Sequence, residues 1–358
     1  MYNQANMMSS SMGNQITNNA FGADDAKELI ERALTEVRAK TGWYLRDEKV
    51  LFSGHYYDRK KIGSFIARIT NDRQESAVLK LQLRPLDYDE GMIIRHIQAQ
   101  IKTDRVRLPV VHLDEPWEES RGYGYLIMED ASEMKRLWAE HCPTDAELKE
   151  HAEFLDIFMH QVLPIDAFLP APKATIREKY QEGLQHFSKI AKVSNHHHVS
   201  DEEVEQMKEV YAGILKNITF NDFHFTHGHL SGMDIFLDSS NQSYILFSNL
   251  MWSFRSMYYE VIFPLWVDMM GIRNTSVMVK DLLVRVDRWA EIWEKVMGED
   301  PRTSHFFWFL ILERSMMTVM LDLGASEWLE GEIEEKRALL NAWKELFWFV
   351  VKNKLNER

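Results

Sequence analysis

HGHLSGMDIFLD occupies residues 227–238. A His-Gly pair stands before an apolar residue, a short turn follows, and an apolar strand begins at Ile235. A second short apolar run, YILF at 244–247, lies beyond DSSNQS, whose composition is that of a hairpin turn. Three titratable side chains, His227, His229 and Asp234, therefore fall in a loop that leads into a hairpin.

The chain around it divides by hydrophobic period. KVLFSG, GSFIARIT and SAVLKLQL, between residues 49 and 83, are short and rich in Val, Ile, Phe and Leu, with turn residues between them; they predict a small antiparallel meander. Ahead of it, Ala26, Leu29, Ile30, Ala33, Leu34 and Val37 recur at helical spacing, with Asp24 placed to cap a helix over about 24–40. Helical spacing returns in DYDEGMIIRHIQAQI (87–101), and LPVVHLD and GYGYLIMED predict two further strands. After Asp130 the pattern is mostly helical: 145–163, 176–193, 201–216, then four stretches near 256–270, 276–297, 303–322 and 326–353. The expected organisation is a tail over 1–22, a sheet-rich lobe over 23–130, and a helical lobe over 131–358 that holds a loop and hairpin at 225–252.

That order is kinase-like, and four segments resemble the aminoglycoside phosphotransferase and choline kinase branch of the kinase fold over roughly 45–330. AVLKLQ is similar to the strand whose lysine touches nucleotide phosphates, which makes that residue Lys80. DEGMIIRHIQ is similar to the helix whose glutamate pairs with the lysine, and Glu90 fits. YLIMEDAS is similar to the hinge whose backbone holds an adenine, at Met128, Glu129 and Asp130. HGHLSGMDIFLD with SYILFSNLMW is similar to the catalytic loop, hairpin and metal-binding strand end; FMHQVLP resembles a Leu-His helix end, at His160. The resemblance implies an α+β, two-lobed protein kinase-like fold and ATP or GTP as the nucleotide.

At the reacting positions the pattern breaks. Kinase-like transfer rests on positioning and charge: one Asp orients the acceptor hydroxyl, and an Asn and a second Asp hold Mg²⁺. Here His229 stands at the first Asp, Asp234 at the Asn, and Ser248 at the second Asp, with Asn249 one residue away. His227, which shapes the loop in the family, is kept. Asp234 can still offer a metal an oxygen, but a serine hydroxyl is a poor substitute for an anchoring carboxylate, so the pattern argues against Mg²⁺. An imidazole at position 229 can accept a proton, although beside an anionic phosphate it tends to keep one. The loop over the phosphates has Gly54 followed by His55, Tyr56 and Tyr57. That is a bulky cradle for phosphate, and reads either as a strand turn with surface aromatics or as a Tyr that fills the nucleotide pocket.

Other polar features have plainer expectations. The triple histidine of NHHHVSDEE (195–203) cannot face one ion on a regular element and is expected as a solvated loop. Glu260 stands where the family often has an Asp bracing the loop, but is expected as an ordinary helix-face carboxylate. Glu313 and Arg314 lie in an apolar helix and suggest a structural pair, and Trp289, Trp293, Trp343 and Trp348 have the spacing of a helical core. Cys142 is the single cysteine, which excludes an intramolecular disulfide. The net charge of −13 speaks against nucleic acid or anionic membrane as the main partner. With no basic start or long apolar run, the expected compartment is the cytoplasm. Three functions follow: a pseudokinase that binds a protein partner and a nucleotide, an active phosphotransferase on a small-molecule hydroxyl with an unusual site, or, if the fold resemblance fails, an unrelated helical interaction protein.

Overall fold

The computed structural model describes residues 21–54, 61–62, 64–86, 88–170, 174–220 and 223–355. Residues 1–20 of the expected 1–22 tail and the aromatic loop His55–Tyr57 lie outside the described residues, as does the Asp24 side chain; Phe21 and Gly22 are not tail but pair as a short strand with Ile62 and Lys61. The fold class expected from the sequence is present, and the elements follow in the expected order. The described residues form two compact units, one of those in 21–135 with 236–250, the other of those in 136–235 with 251–355.

The first unit is built on a five-stranded antiparallel sheet. Helix α1 (Ala23–Thr41) precedes β1 (Tyr44–Gly54), β2 (Ser64–Thr70) and β3 (Ser76–Gln82); helix α2 (Glu90–Gln98) follows, then β4 (Val106–Arg107), β5 (Val111–Glu118) and β6 (Tyr123–Glu129). The strand order is β1-β2-β3-β6-β5. The alternation that predicted β3 is realised: Ala77, Leu79 and Leu81 are buried on one face, where they meet Phe65, Ala67 and Ile69 of β2, Tyr125 and Ile127 of β6, and Ala26, Ile30, Ala33 and Val37 of α1. The apolar stripe of α1 thus covers one face of the sheet, and period two sends Lys80 to the opposite face. A short parallel pairing places β4 against β9 (Ser243–Leu246), Tyr244 opposite Val106. This pairing explains why the hairpin divides after Ile235, although the sequence suggests placing it whole in the helical lobe.

The second unit is helical. It holds α3 (Asp145–Ile157), α4 (Ile176–Lys192), α5 (Asp201–Asn217), α6 (Tyr259–Met270), α7 (Val279–Met297), α8 (His305–Met317) and α9 (Ile333–Val350). Thr144, Thr175 and Ser200 close capping boxes with Glu147, Glu178 and Glu203, so α3, α4 and α5 begin where the side chains can satisfy free amides. Every residue of α8 from Phe306 to Met317 is buried. Trp289, Trp293 and Trp343 are buried as expected, but Trp348 is 36% exposed. It lies five residues beyond Trp343, which turns it about 140° away around the helix. The short strands β7 (His224–Thr226) and β10 (Ser253–Arg255) pair antiparallel at the base of the loop, and β8 (Ile235–Asp238) leaves it. Among the described residues no helix is long and apolar enough to cross a membrane.

Candidate functional site

In the first unit Lys80 reaches Glu90, with Nζ donating to Oε2. Glu90 is the first residue of α2, directly after the N-cap Asp89, whose Oδ1 accepts the N–H groups of Gly91 at 2.8 Å and Met92 at 3.3 Å. A buried carboxylate is costly to desolvate; here a lysine and the positive end of a helix offset that cost. Two residues that the sequence pairs by resemblance are thus brought together.

The three hinge residues are placed differently from one another. Met128 is buried in β6, with Val78 of β3 on one side and Val111 of β5 on the other. Glu129 is gripped by the Arg107 guanidinium, Nη1 to Oε2 at 2.6 Å and Nη2 to Oε1 at 2.7 Å, and also accepts from the Val110 N–H at 3.1 Å. Burial alone would raise the Glu129 pKa, but the bonds from Arg107 and Val110 outweigh it and hold it below the usual carboxylate range. Arg107 also reaches Asp238 of β8 at 3.3 Å. Asp130 accepts from the Ser76 hydroxyl at 2.6 Å and the Ser132 N–H at 2.9 Å. The acids of the hinge therefore serve structure, and the Glu129 N–H donates to the Val110 carbonyl at 2.9 Å. Arg107 escaped the sequence reading, because nothing near it in the chain marks a partner 131 residues away.

Past β9 the backbone turns sharply at Ser248, where φ is +60°. A non-glycine residue in this left-handed region is uncommon. Asn249 is buried, and its amide donates to the Leu246 carbonyl at 3.0 Å.

In the second unit the loop that follows β7 is held from below. Glu260, in the first turn of α6, is completely buried, and its Oε1 accepts from the Thr226 hydroxyl and, at 2.9 Å, from the Gly228 N–H. Its Oε2 has no hydrogen-bond partner among the described residues. This corrects the expectation of an ordinary helix-face carboxylate: Glu260 braces the loop. Arg255 lies beside it and donates to Ser253 Oγ at 2.6 Å and to the Gly228 and Met251 carbonyls at 3.4 Å. Gly228 has φ +64°, and a Cβ there would lie 2.4 Å from Arg255 Cδ, so glycine is required twice over.

Burial raises the Glu260 pKa to about 7, against the opposing pull of Thr226, Gly228 and Arg255. A folded-state pKa above the unfolded value means the brace contributes most below the ordinary carboxylate pKa of 4.5 and loses that contribution as pH rises through about 7. Wild-type stability is therefore expected to fall between about pH 5 and pH 8 by roughly 1–3 kcal/mol more than that of Glu260→Gln, which keeps the acceptor oxygen without the charge. Parallel thermal melts of the two proteins across that range check it; equal slopes would refute it.

His229 and Asp234 face one another within this loop. His229 Nδ1 lies 3.4 Å from Asp234 Oδ2, both residues are more than nine-tenths buried, and neither atom makes a well-aligned hydrogen bond among the described residues. The His229 ring packs on Phe263 with centroids 3.6 Å apart, and His227 stands edge-on to Trp252. Burial lowers the His229 pKa, Asp234 partly counters this, and Arg255 and Arg314 push it down further. Burial thus favours the neutral imidazole. Mg²⁺ in nucleotide sites is held by one or two carboxylates together with phosphate and water oxygens. In the second unit the Asp234 carboxylate is buried and faces an imidazole. Among the described residues no group of three or more His, Cys, Asp or Glu side chains could hold a metal.

The remaining candidates resolve as structure. The triple histidine lies in a loop with Asn195 and His197 exposed, as expected, but His198 is half-buried: its ring stacks on Trp328 with centroids 3.6 Å apart, and its Nε2 meets the Ser326 carbonyl at 2.9 Å. His160 Nε2 meets the Val296 carbonyl at 3.0 Å. Glu313 accepts from the Tyr259 hydroxyl at 2.7 Å, and Arg314 lies over Trp266 and Phe263.

No protein-family model matches the chain, and no curated protein matches it in sequence. Solved structures match it in shape. An amicoumacin kinase in complex with AMP-PNP, Ca²⁺ and Ami is 13% identical, with a TM-score of 0.58 over 93% of this chain and 97% of that one. A microcompartment-associated aminopropanol kinase is 11% identical, with a TM-score of 0.55 over 90% and 99%. A spectinomycin phosphotransferase in complex with ADP and spectinomycin is 10% identical, with a TM-score of 0.53 over 89% and 98%. At such identities the likeness concerns architecture alone, and by it this chain has the protein kinase-like fold.

Proposed function

We propose that the chain is a pseudokinase: it keeps the lysine–glutamate pair with which the fold grips a nucleotide, lacks the carboxylates for transfer, and acts by binding a protein partner. The observation that carries this reading is the buried His229–Asp234 contact. An imidazole packed on Phe263 stands where transfer needs an exposed carboxylate, and the acid that remains faces the imidazole. Lys80 and Glu90 support nucleotide binding, because a lysine fixed in place can contact phosphate without a metal. The net charge of −13 points to protein rather than nucleic acid as the partner.

The test is a thermal-shift panel of ATP and GTP with and without Mg²⁺, run beside a phosphoryl-transfer assay on small hydroxyl compounds. ATP is expected to raise the melting temperature equally with and without Mg²⁺. Lys80→Ala is expected to abolish that shift and to weaken nucleotide binding by roughly tenfold to a hundredfold, the scale of a charge-assisted contact. Mg²⁺-dependent transfer that disappears in Asp234→Ala would overturn the reading.

One observation favours a second reading, that of an active phosphotransferase on a small-molecule hydroxyl. The neutral His229, with Asp234 on its Nδ1 side, has the protonation state of a general base. Transfer that is lost in His229→Ala and that rises with pH would favour it.

A further inference from the structure

In the second unit, one indole away from the loop, lies a further buried histidine. His151 of α3 is completely buried, and neither of its ring nitrogens has a hydrogen-bond partner among the described residues. Its ring is boxed by Trp138 with centroids 5.1 Å apart, by Trp289 of α7 edge-on at 5.0 Å, and by Phe154 at 6.1 Å. The two indoles are fixed differently. Trp289 Nε1 donates to Asp268 Oδ2 at 3.1 Å, whereas Trp138 Nε1 has no hydrogen-bond partner among the described residues. Trp138 instead lies flush on the loop: a Cβ on Gly232 would come within 2.3 Å of its Cγ and Cδ1, and its backbone N–H donates to the Gly232 carbonyl at 3.0 Å. Gly232 sits in the turn that the Asp234 N–H closes on the Ser231 carbonyl at 2.9 Å. The ring against Gly232 thus bears on the turn that carries Asp234.

We propose that His151 and Trp138 form an acid-sensitive latch on the loop: the neutral imidazole seats Trp138 against Gly232 and so positions Asp234, and a proton on His151 unseats it. An imidazolium has two N–H donors and a charge, and among the described residues the box supplies neither an acceptor nor a counter-charge. Where α3 meets α7, the charged groups are Asp145 with Arg288, at the exposed start of α3, and Asp268 with Arg285, which meets the indole of Trp289. An indole face attracts a cation, but one such contact recovers only part of what the burial of an ion costs. That cost is relieved when water reaches the ring. The indole that yields is Trp138, whose Nε1 is untethered, rather than Trp289, which Asp268 holds. Gly232 then loses its support and the turn loosens. Burial alone pushes the His151 pKa down from 6.5 to about 3. The closed latch is therefore fully stable above 6.5 and loses stability as pH falls from there towards about 3. The latch stands on the packing of the second unit and holds whether or not the pseudokinase reading does.

Amide hydrogen exchange on the full chain tests it, with rates corrected for intrinsic chemistry. Between about pH 7 and pH 5, protection of the Trp138 and Asp234 amides is expected to fall roughly twentyfold further in the wild type than in His151→Phe, the factor set by an ordinary histidine that titrates only in the open state. His151→Phe keeps an aromatic ring in the box and removes the proton site. Ala290 and Glu291 of α7, directly after Trp289, are expected to show no such difference. In nitrogen-15 spectra the His151 ring is expected to stay neutral down to about pH 5. Equal falls in the two proteins overturn the proposal. So does a difference as large in α7 as in the loop, because the unit would then open as a whole. A His151 ring that titrates near its ordinary value also overturns it, and decides the matter should His151→Phe fail to fold.

Discussion

Changing His229→Asp, Asp234→Asn and Ser248→Asp together is expected to create Mg²⁺-dependent nucleotide hydrolysis on the order of 10²–10³ above the wild-type chain, the scale of a preorganised charge contact regained. The surrounding frame is in place: Lys80 is paired, the loop rests on Glu260, and Gly228 has the left-handed turn that the loop needs. The residue at 248 already has φ +60°, a conformation that aspartate adopts more readily than most side chains. The three substitutions should behave as a unit, each alone giving far less than a third of the logarithmic gain, because two metal ligands and an acceptor carboxylate act on one transition state. Phosphate release from ATP, with nucleotide binding confirmed by thermal shift, is the measurement. A folded triple variant that binds ATP and releases no phosphate would mean that the frame was not built around those three positions.

Trp289→Ala should unfold the second unit under conditions where the wild type is stable, at a cost of about 5 kcal/mol. Trp289 is completely buried, edge-on to His151 with centroids 5.0 Å apart and tilted on Trp138 at 5.7 Å. Truncation of so large a core side chain typically costs about 3–5 kcal/mol through lost burial and the cavity left behind. A second effect adds to it. Trp289 Nε1 donates to Asp268 Oδ2 at 3.1 Å, and Asp268 is almost completely buried with Arg285 on its other oxygen. Removing the donor leaves a buried carboxylate oxygen unsatisfied, at roughly 1–3 kcal/mol. Trp289→Phe separates the two effects, because the ring remains and the donor goes, and should fall about midway. Urea denaturation followed by circular dichroism checks the order; a Phe variant as unstable as the Ala variant would show that the hydrogen bond, and not the packing, dominates.

Much of the first unit was legible because its information is local. The two-residue period of SAVLKLQ places Leu79 and Leu81 inward and Lys80 outward whatever packs on them, and the helical spacing within 87–101 marks α2 by its own period. The loop at 227–238 and its altered acids were equally legible, because their spacing is a property of a single stretch of chain. Where the sequence reading failed, the interacting groups are far apart in the chain. His198 meets Ser326, 128 residues away. Glu260 meets Thr226, 34 residues away. Trp348 had the composition of the core, but the angle round α9 places it on another face.

The sequence by itself determined the order of strands and helices and the elements on which Lys80, Glu90, His229, Asp234 and Ser248 fall, because hydrophobic period and spacing act over a few residues. Only the tertiary structure decided that Asp234 faces His229, that Arg107 grips the hinge acid, that Glu260 lies under the loop, and that the Asp114 carboxylate lies against Gly91. The reason is physical: whether a carboxylate is solvated, paired or protonated depends on what the remainder of the chain brings within about 4 Å of it, and no local pattern encodes that distance.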